Sequence, residues 1–308
     1  MIARLSGAAL FNGWWPQTMN SVFNPQYFGD VAINVSLNAP PQIPSNIAVN
    51  KQDNNLIVTF NNPTLGLNNE PLITAPFKNL YKNGVYLTTL DEATEQYLDP
   101  DVLCGAWYEY SIEAFVIDGA DTLMGPRSQT YGQFACQDPV LTQIKYDDDS
   151  WEAFYVVDFT FDNNKFGLRF TPTKYPARVV RLQTLVNGNG SFNFTLQADS
   201  LGYPGKVVAG PYRVSSGVAG NVAPIILTLP GDEPPTFTEG DFWAVINYLP
   251  ATPGEPGIGV DGTPPNSGRG MYFTSTSGWM SFAGGNLMIS AYITDQPVGV
   301  EEETDTKL

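Results

Sequence analysis

The chain has 308 residues, of which 15 are basic and 31 acidic, and its formal net charge is −16. A surface this negative repels phosphate backbones and anionic lipid, which argues against nucleic acid and membrane surfaces as partners. The sequence contains no histidine, and this excludes Ser-His-Asp and Cys-His nucleophile systems and histidine-bearing zinc sites. No apolar run reaches the length of a membrane span. We therefore expect neither histidine-dependent catalysis nor membrane insertion.

The composition indicates an all-β protein. There are 29 glycines and 25 prolines, aromatic residues make up 13%, and the chain has no long run of helix formers. The length suits two domains of ordinary size, each able to bury its own core.

The N-terminal segment, residues 1–40, carries one strand pattern and a proline-rich linker. Residues 1–30 are apolar and aromatic without a clear period, and they make a poor signal peptide. We therefore expect either a piece of a longer secreted protein or export by another route. Val31, Ile33, Val35 and Leu37 then alternate with smaller or polar residues, which predicts a strand. A lone strand needs a sheet to join, so it either completes a preceding domain or pairs with another subunit.

Residues 41–138 have the pattern of a small β-sandwich. Asn46–Asn50 and Asn55–Pro63 predict its first two strands, and Asn83-Gly84 within Phe77–Thr89 predicts a hairpin with a type I′ turn. Together with Leu103–Ala114, these stretches resemble a fibronectin type III module. The resemblance implies that the hydroxyl of Tyr108 returns to the backbone at the corner of the sandwich.

The same resemblance bears on the two cysteines, Cys104 and Cys136. Cys104 stands where the family often has proline, which is a departure from its pattern. In the fibronectin topology both positions lie at one pole of the sandwich, which implies a disulfide and an oxidising compartment. The alternative is two separate buried thiols.

Residues 139–296 contain about ten short runs of alternating apolar and polar residues bounded by turn formers, which predicts an antiparallel sandwich. In order, these runs resemble a jelly-roll-like sandwich found near the C-termini of large secreted proteins of Bacteroidetes-type bacteria, often those exported by the type IX secretion system. Residues 297–308 resemble the acidic linker that follows such a sandwich. The stretches that carry the resemblance are Tyr146–Ser150, Arg169–Pro172, Tyr175-Pro176, Gly202–Gly205, Gly240–Ile246, Ser267–Gly270 and Gly285–Ile289.

An acidic cluster opens this second domain. Asp147, Asp148 and Asp149, with Glu152 nearby, form the densest set of hard oxygen ligands, and these are the ligands that calcium prefers. The cluster lacks the spacing and the glycine of an EF-hand loop. It is either a weak calcium site or a solvated turn before the first strand.

Three tryptophans of the second domain are candidates for stacking on a sugar face. Trp243 lies within a strongly apolar run and is expected in the core. Trp279 follows a glycine on a short hairpin and is the preferred stacking candidate, and Trp151 is the third candidate. The glycine-rich stretches 187–190 and 254–262 lack the features of phosphate loops and are predicted to be a hairpin loop and a surface loop. No pair of carboxylates suggests a glycosidase.

These observations predict an extracellular, non-catalytic accessory or structural region of a bacterial protein, serving adhesion or domain presentation. One alternative is a subunit of an extracellular filament or particle assembled by strand donation. Another is a carbohydrate-binding module of a larger enzyme. The expected partners are a protein or a second copy bound through the N-terminal segment, and a glycan. No cofactor is expected apart from calcium.

Overall fold

The computed structural model describes residues 39–156, 164–216, 222–231, 233–248 and 256–297. Every regular element in these ranges is a β-strand. Among them there is no helix long and apolar enough to cross a membrane. The predicted strand Val31–Leu37 and the acidic tail after residue 297 lie outside the described residues.

The first part of the described chain folds into a fibronectin type III-like sandwich. One sheet has the order β1-β2-β5, and the other has the order β4-β3-β6-β7, with β8 also pairing with β6. All pairings are antiparallel. The strands are β1 (Ser45–Gln52), β2 (Asn55–Asn61), β3 (Phe77–Lys82), β4 (Val85–Leu90), β5 (Gln96–Asp99), β6 (Trp107–Asp118), β7 (Asp121–Arg127) and β8 (Tyr131–Phe134).

Strand β6 shows how the sequence builds this sandwich. Tyr108, Tyr110 and Ile112 alternate with more polar residues and point into the core, where each is at most 1% exposed. This period of two is what a strand with one buried face requires. The β3–β4 hairpin is equally local in origin, because Asn83 and Gly84 adopt φ values of 50° and 79°, as a type I′ turn needs.

Two predictions about the corner before β6 are confirmed, the Tyr108 hydrogen bond and the disulfide. The Leu103 N–H donates to the Tyr108 hydroxyl oxygen at 2.8 Å, so the ring is tied to the backbone five residues upstream. Cys104 and Cys136 form a disulfide with a Cα–Cα distance of 5.0 Å. The bridge lies beside the hydrogen bond from Gly105 N to Ala135 O, and it joins the start of β6 to the end of β8.

The remaining chain forms a larger two-sheet antiparallel sandwich. One sheet has the order β10-β18-β12-β22-β9, with β15 and β16 also pairing with β12 and β21 with β18. The other has the order β14-β13-β17-β11-β19-β20. The strands are β9 (Thr142–Ile144), β10 (Ala153–Tyr155), β11 (Lys165–Phe170), β12 (Ala177–Asn187), β13 (Gly190–Ser200), β14 (Tyr203–Ser216), β15 (Val222–Thr228), β16 (Thr236–Phe237), β17 (Phe242–Tyr248), β18 (Gly257–Asp261), β19 (Gly270–Thr274), β20 (Gly278–Ser281), β21 (Asn286–Leu287) and β22 (Ile289–Thr294).

Each sandwich has its own cluster of buried side chains. The cluster of the smaller sandwich lies between residues 47 and 135, and that of the larger one between residues 166 and 293. In the larger cluster, phenylalanines of three strands pack ring to ring, with centroids 5.3 Å apart for Phe170 and Phe242 and 4.7 Å apart for Phe237 and Phe242. Burial of these large rings contributes to the stability of this sandwich.

Two loop predictions for the larger sandwich are wrong. The stretch 254–262 was expected to be a surface loop, but Gly257–Asp261 is the buried strand β18, which pairs with both β10 and β12. Ile258 and Val260 are fully buried in the core, and Gly259 leaves room for the side chains of Leu185 and Met288, which flank it on the outer face of the same sheet. A strand covered on both faces shows no polar alternation, and glycine is normally scarce in strands. The stretch 187–190, predicted to be a hairpin loop, joins β12 of one sheet to β13 of the other, so it is a connection between the two sheets and not a hairpin.

Candidate ligand-binding cleft

A cleft of about 300 Å³ lies on the outer face of the sheet that contains β12 and β22. Gln183 of β12 pairs directly with Ser290 of β22, and their neighbours Leu182 and Ala291 point to the opposite face, into the core. Alternation along the two strands therefore turns Gln183 and Ser290 outward. The cleft is lined by Asp147, Asp149, Trp151, Gln183, Leu185, Met288 and Ser290.

The floor of the cleft is apolar and depends on strand β18. A Cβ atom at Gly259 would lie 3.1 Å from the Cβ of Leu185 and 3.1 Å from the sulfur of Met288. Glycine therefore allows these two side chains to settle close to the sheet. Strand β18, which the sequence pattern predicted to be a loop, therefore supports this site.

Trp151 forms an aromatic wall. Its side chain is 48% exposed, although it belongs to one of the largest apolar residue types. The ring leans on Phe154, with centroids 4.8 Å apart and an angle of 50° between the planes. The indole is thus supported by Phe154 and keeps about half of its surface exposed.

Polar side chains on β12 and β22 are held in place by their neighbours. The Tyr292 hydroxyl donates to Gln183 Oε1 at 3.0 Å, and Gln143 Nε2 donates to Ser290 Oγ at 3.2 Å. No described residue accepts a hydrogen bond from Gln183 Nε2. An amide donor and a hydroxyl with fixed orientations, beside the apolar side chains of Trp151, Leu185 and Met288, can give a cleft its specificity.

The acidic turn closes one end of the cleft. Lys145 forms an ion pair with Asp149, and its Nζ lies 3.9 Å from Asp147 Oδ1. The pKa of Lys145 is raised, chiefly by its hydrogen bond with Asp149. The side chain of Asp147 is only 4% exposed, and its Oδ1 accepts from Asp149 N–H at 3.2 Å. Burial raises the pKa of Asp147, against the opposing effects of that hydrogen bond and of Lys145.

The other acidic side chains brace the turn against β18. Asp148 Oδ1 accepts from Ser150, which lowers the Asp148 pKa, and the Asp148 N–H donates to Asp261 Oδ2 at 3.1 Å. Glu152 Oε2 accepts from Gly262 N–H at 2.6 Å. In the described part of the chain, no three Asp, Glu, Cys or His side chains are grouped as a metal site requires. Calcium binding at Asp147, Asp148 or Asp149 therefore stays a prediction.

The other two tryptophans lie on the opposite sheet and do not join the cleft. Trp243 is 1% exposed, as expected for a core residue, and its Nε1 donates to Asp199 Oδ1 at 2.8 Å. Trp279 is half-buried and meets Trp243 above Gly167, where an added Cβ would lie 3.3 Å from each indole. Trp279 is therefore packed into a small cluster, whereas Trp151 has the more open ring.

Comparisons with known proteins add little to this description. No protein-family model matches the sequence, and no curated protein is significantly similar to it. Among solved structures, the central fibronectin-III array of RIM-binding protein is similar, with 12% identity, coverage of 83% of this chain and 89% of that chain, and a TM-score of 0.24. A TM-score this low does not demonstrate a common overall fold. The assignment of the fold therefore depends on the strand orders described above.

Proposed function

We propose that this chain is a non-catalytic accessory region of a secreted or cell-surface bacterial protein, and that it attaches to its target by binding a glycan in the cleft beside Trp151. The observation that carries the proposal is the half-exposed, supported indole beside fixed polar groups of Gln183 and Ser290. A pyranose has an apolar face that stacks on such a ring and hydroxyls that reach the polar wall.

The charge of the cleft indicates which glycans it takes. Asp147 and Asp149 line it, and Lys145 is already paired with Asp149. Carboxylates at the wall repel acidic sugars, and the net charge of −16 acts in the same direction. The proposed ligands are therefore neutral sugars or amino sugars.

The disulfide supports the extracellular location. Structural disulfides persist in oxidising compartments and are rare in the reducing cytosol. Export by the type IX system is the finer part of this proposal, and it depends on the resemblance of residues 139–308 to such cargo proteins. Protein isolated from the culture medium of the native host, and absent when that system is inactivated, would support it.

The binding proposal is tested with a defined panel. Cellohexaose, mannohexaose and N-acetylchitohexaose are titrated into the protein by calorimetry, with polygalacturonate as the acidic control. We expect binding of at least one neutral or N-acetylated oligosaccharide and none of polygalacturonate. Binding of polygalacturonate alone would contradict the proposed site.

A further inference from the structure

Lys78 is a buried lysine without an ion-pair partner. It lies on the inward-facing side of β3, two residues before Leu80, and it is 0% exposed. None of the ion pairs among the described residues includes it. Lysine is almost never fully buried unless it is paired. Lys78 is therefore an unusual side chain for the core of a sandwich.

The hydrogen bonds of Lys78 suit a neutral amine. Its Nζ donates to the backbone oxygens of Asp91 and Glu92, the latter at 3.1 Å, and no other described residue accepts from it. An ammonium has three N–H donors, whereas a neutral amine has two and a lone pair. Burial lowers the pKa of Lys78, and the nearby carboxylates oppose this only in part. A desolvated lysine amine is a nucleophile.

The side-chain amide of Asn62 lies next to this amine. Asn62 directly follows β2 of the opposite sheet, and its Nδ2 donates to the same Glu92 oxygen at 3.0 Å. Two donors approach a carbonyl oxygen along its two lone pairs, so the two nitrogens lie about 5 Å apart. Asn62 Oδ1 is buried and accepts from no described residue. Turning the amide therefore breaks one hydrogen bond and brings its carbon within reach of the flexible Lys78 side chain.

Glu95 supplies a carboxylate at the same place. Its Oε1 accepts from the Asn62 N–H at 3.1 Å, and its backbone oxygen accepts from the Phe60 N–H at 3.0 Å. These two bonds hold the carboxylate beside the Asn62 side chain. A carboxylate this close to a reacting group can carry a proton between its atoms.

We propose that Lys78 and Asn62 react with each other to form an amide crosslink, with Glu95 as the proton carrier. The amine lone pair attacks Asn62 Cγ, so that the Nζ–Cγ bond forms and the Cγ–Nδ2 bond breaks. One amine proton passes through Glu95 to Nδ2, which leaves as ammonia. The reaction needs no oxidant and no other co-reactant. The inference is independent of glycan binding.

The crosslink joins the two sheets of the smaller sandwich, because β2 and β3 belong to different sheets. Lys78 pairs with Ala114 in the second half of β6, whereas Cys104 of the disulfide precedes the start of β6. The two covalent links therefore fasten opposite ends of this sandwich.

Mass spectrometry of the intact, reduced, full-length protein tests the proposal directly. We expect a mass that is lower than the sequence mass by one ammonia. Chymotrypsin can cut between the two residues, after Leu65, Leu67 and Leu72, so tandem spectra should show a branched peptide that joins Asn62 to Lys78. The full sequence mass would overturn the proposal, and so would a loss of ammonia at another asparagine without the branched peptide.

Matched variants assign the three roles. Lys78→Met and Asn62→Ala should keep their full sequence mass, whereas Asn61→Ala, at the exposed neighbouring asparagine, should lose ammonia like the unchanged protein. Glu95→Gln keeps an oxygen that can accept from the Asn62 N–H but lacks the carboxylate, so it should stay unlinked while folded by circular dichroism. A crosslink in Glu95→Gln would contradict the proton path, and loss of ammonia in Lys78→Met would contradict the assigned amine. The result on the unchanged protein is decisive even where Lys78→Met does not fold.

Discussion

Replacing Cys104 and Cys136 by serine should destabilise the smaller sandwich strongly. The bridge closes a loop with a sequence separation of 32 residues. In the chain-entropy model, a loop of that size gives a stabilisation of about 4 kcal/mol, because the link restricts the unfolded chain. The bond also joins the ends of β6 and β8, and β6 carries most of the buried aromatic residues of this core.

The assay is equilibrium unfolding in urea. With a slope of about 1–3 kcal/mol per molar, a loss of about 4 kcal/mol lowers the midpoint by roughly 1.5–4 M. Only the transition of the smaller sandwich should move, since the larger core contains neither cysteine. Thiol titration of the denatured, unreduced protein should find no free thiol. Two free thiols, or a variant with an unchanged midpoint, would refute the reasoning.

Three further predictions concern single sites. Tyr108→Phe should cost about 1 kcal/mol of unfolding free energy in urea, because the Leu103 N–H loses its partner, and Tyr97→Phe, which packs against the same core and has no hydroxyl partner among the described residues, is the control. Asp147→Asn should raise the melting temperature at pH 7. Burial raises the Asp147 pKa above 3.8, so the ionised carboxylate destabilises the folded state. This loss of folding free energy is absent at low pH and grows as pH rises from about 4 through the folded-state pKa. The advantage of Asp147→Asn should therefore vanish below about pH 4, and a constant advantage would contradict this. Equal melting temperatures with calcium and with chelator would reduce Asp147–Asp149 to a solvated turn, whereas a rise with calcium would establish a site.

Local signals in the sequence account for most of the smaller sandwich. The alternation along β6 and the Asn83-Gly84 turn each specify their own geometry, since period and turn chemistry act over a few residues. The Tyr108 corner follows from the family resemblance, and the structure places the hydroxyl as predicted. These features needed no knowledge of distant contacts.

The cleft could not be predicted in the same way. Gln183 and Ser290 are far apart in the chain and meet only because β12 pairs with β22. Strand β18, which supports the floor, is glycine-rich and buried on both faces, so it lacks the period that marks a half-buried strand. The sequence favoured Trp279 as the stacking ring, but Trp279 packs against the Trp243 cluster and Trp151 has the more open ring, because tertiary packing decides which indole stays exposed.

The most direct test of the account compares Trp151→Ala with Trp279→Ala in calorimetric titration of the oligosaccharide that binds best. Removing the Trp151 ring removes about 80 Å² of apolar contact with the bound sugar. This costs about 2 kcal/mol of binding free energy and raises Kd about 30-fold. Trp279→Ala, on the opposite sheet, should leave Kd unchanged while both variants remain folded by circular dichroism. The reverse pattern, or equal affinity of both variants and the unchanged protein, would contradict glycan binding at the Trp151 cleft.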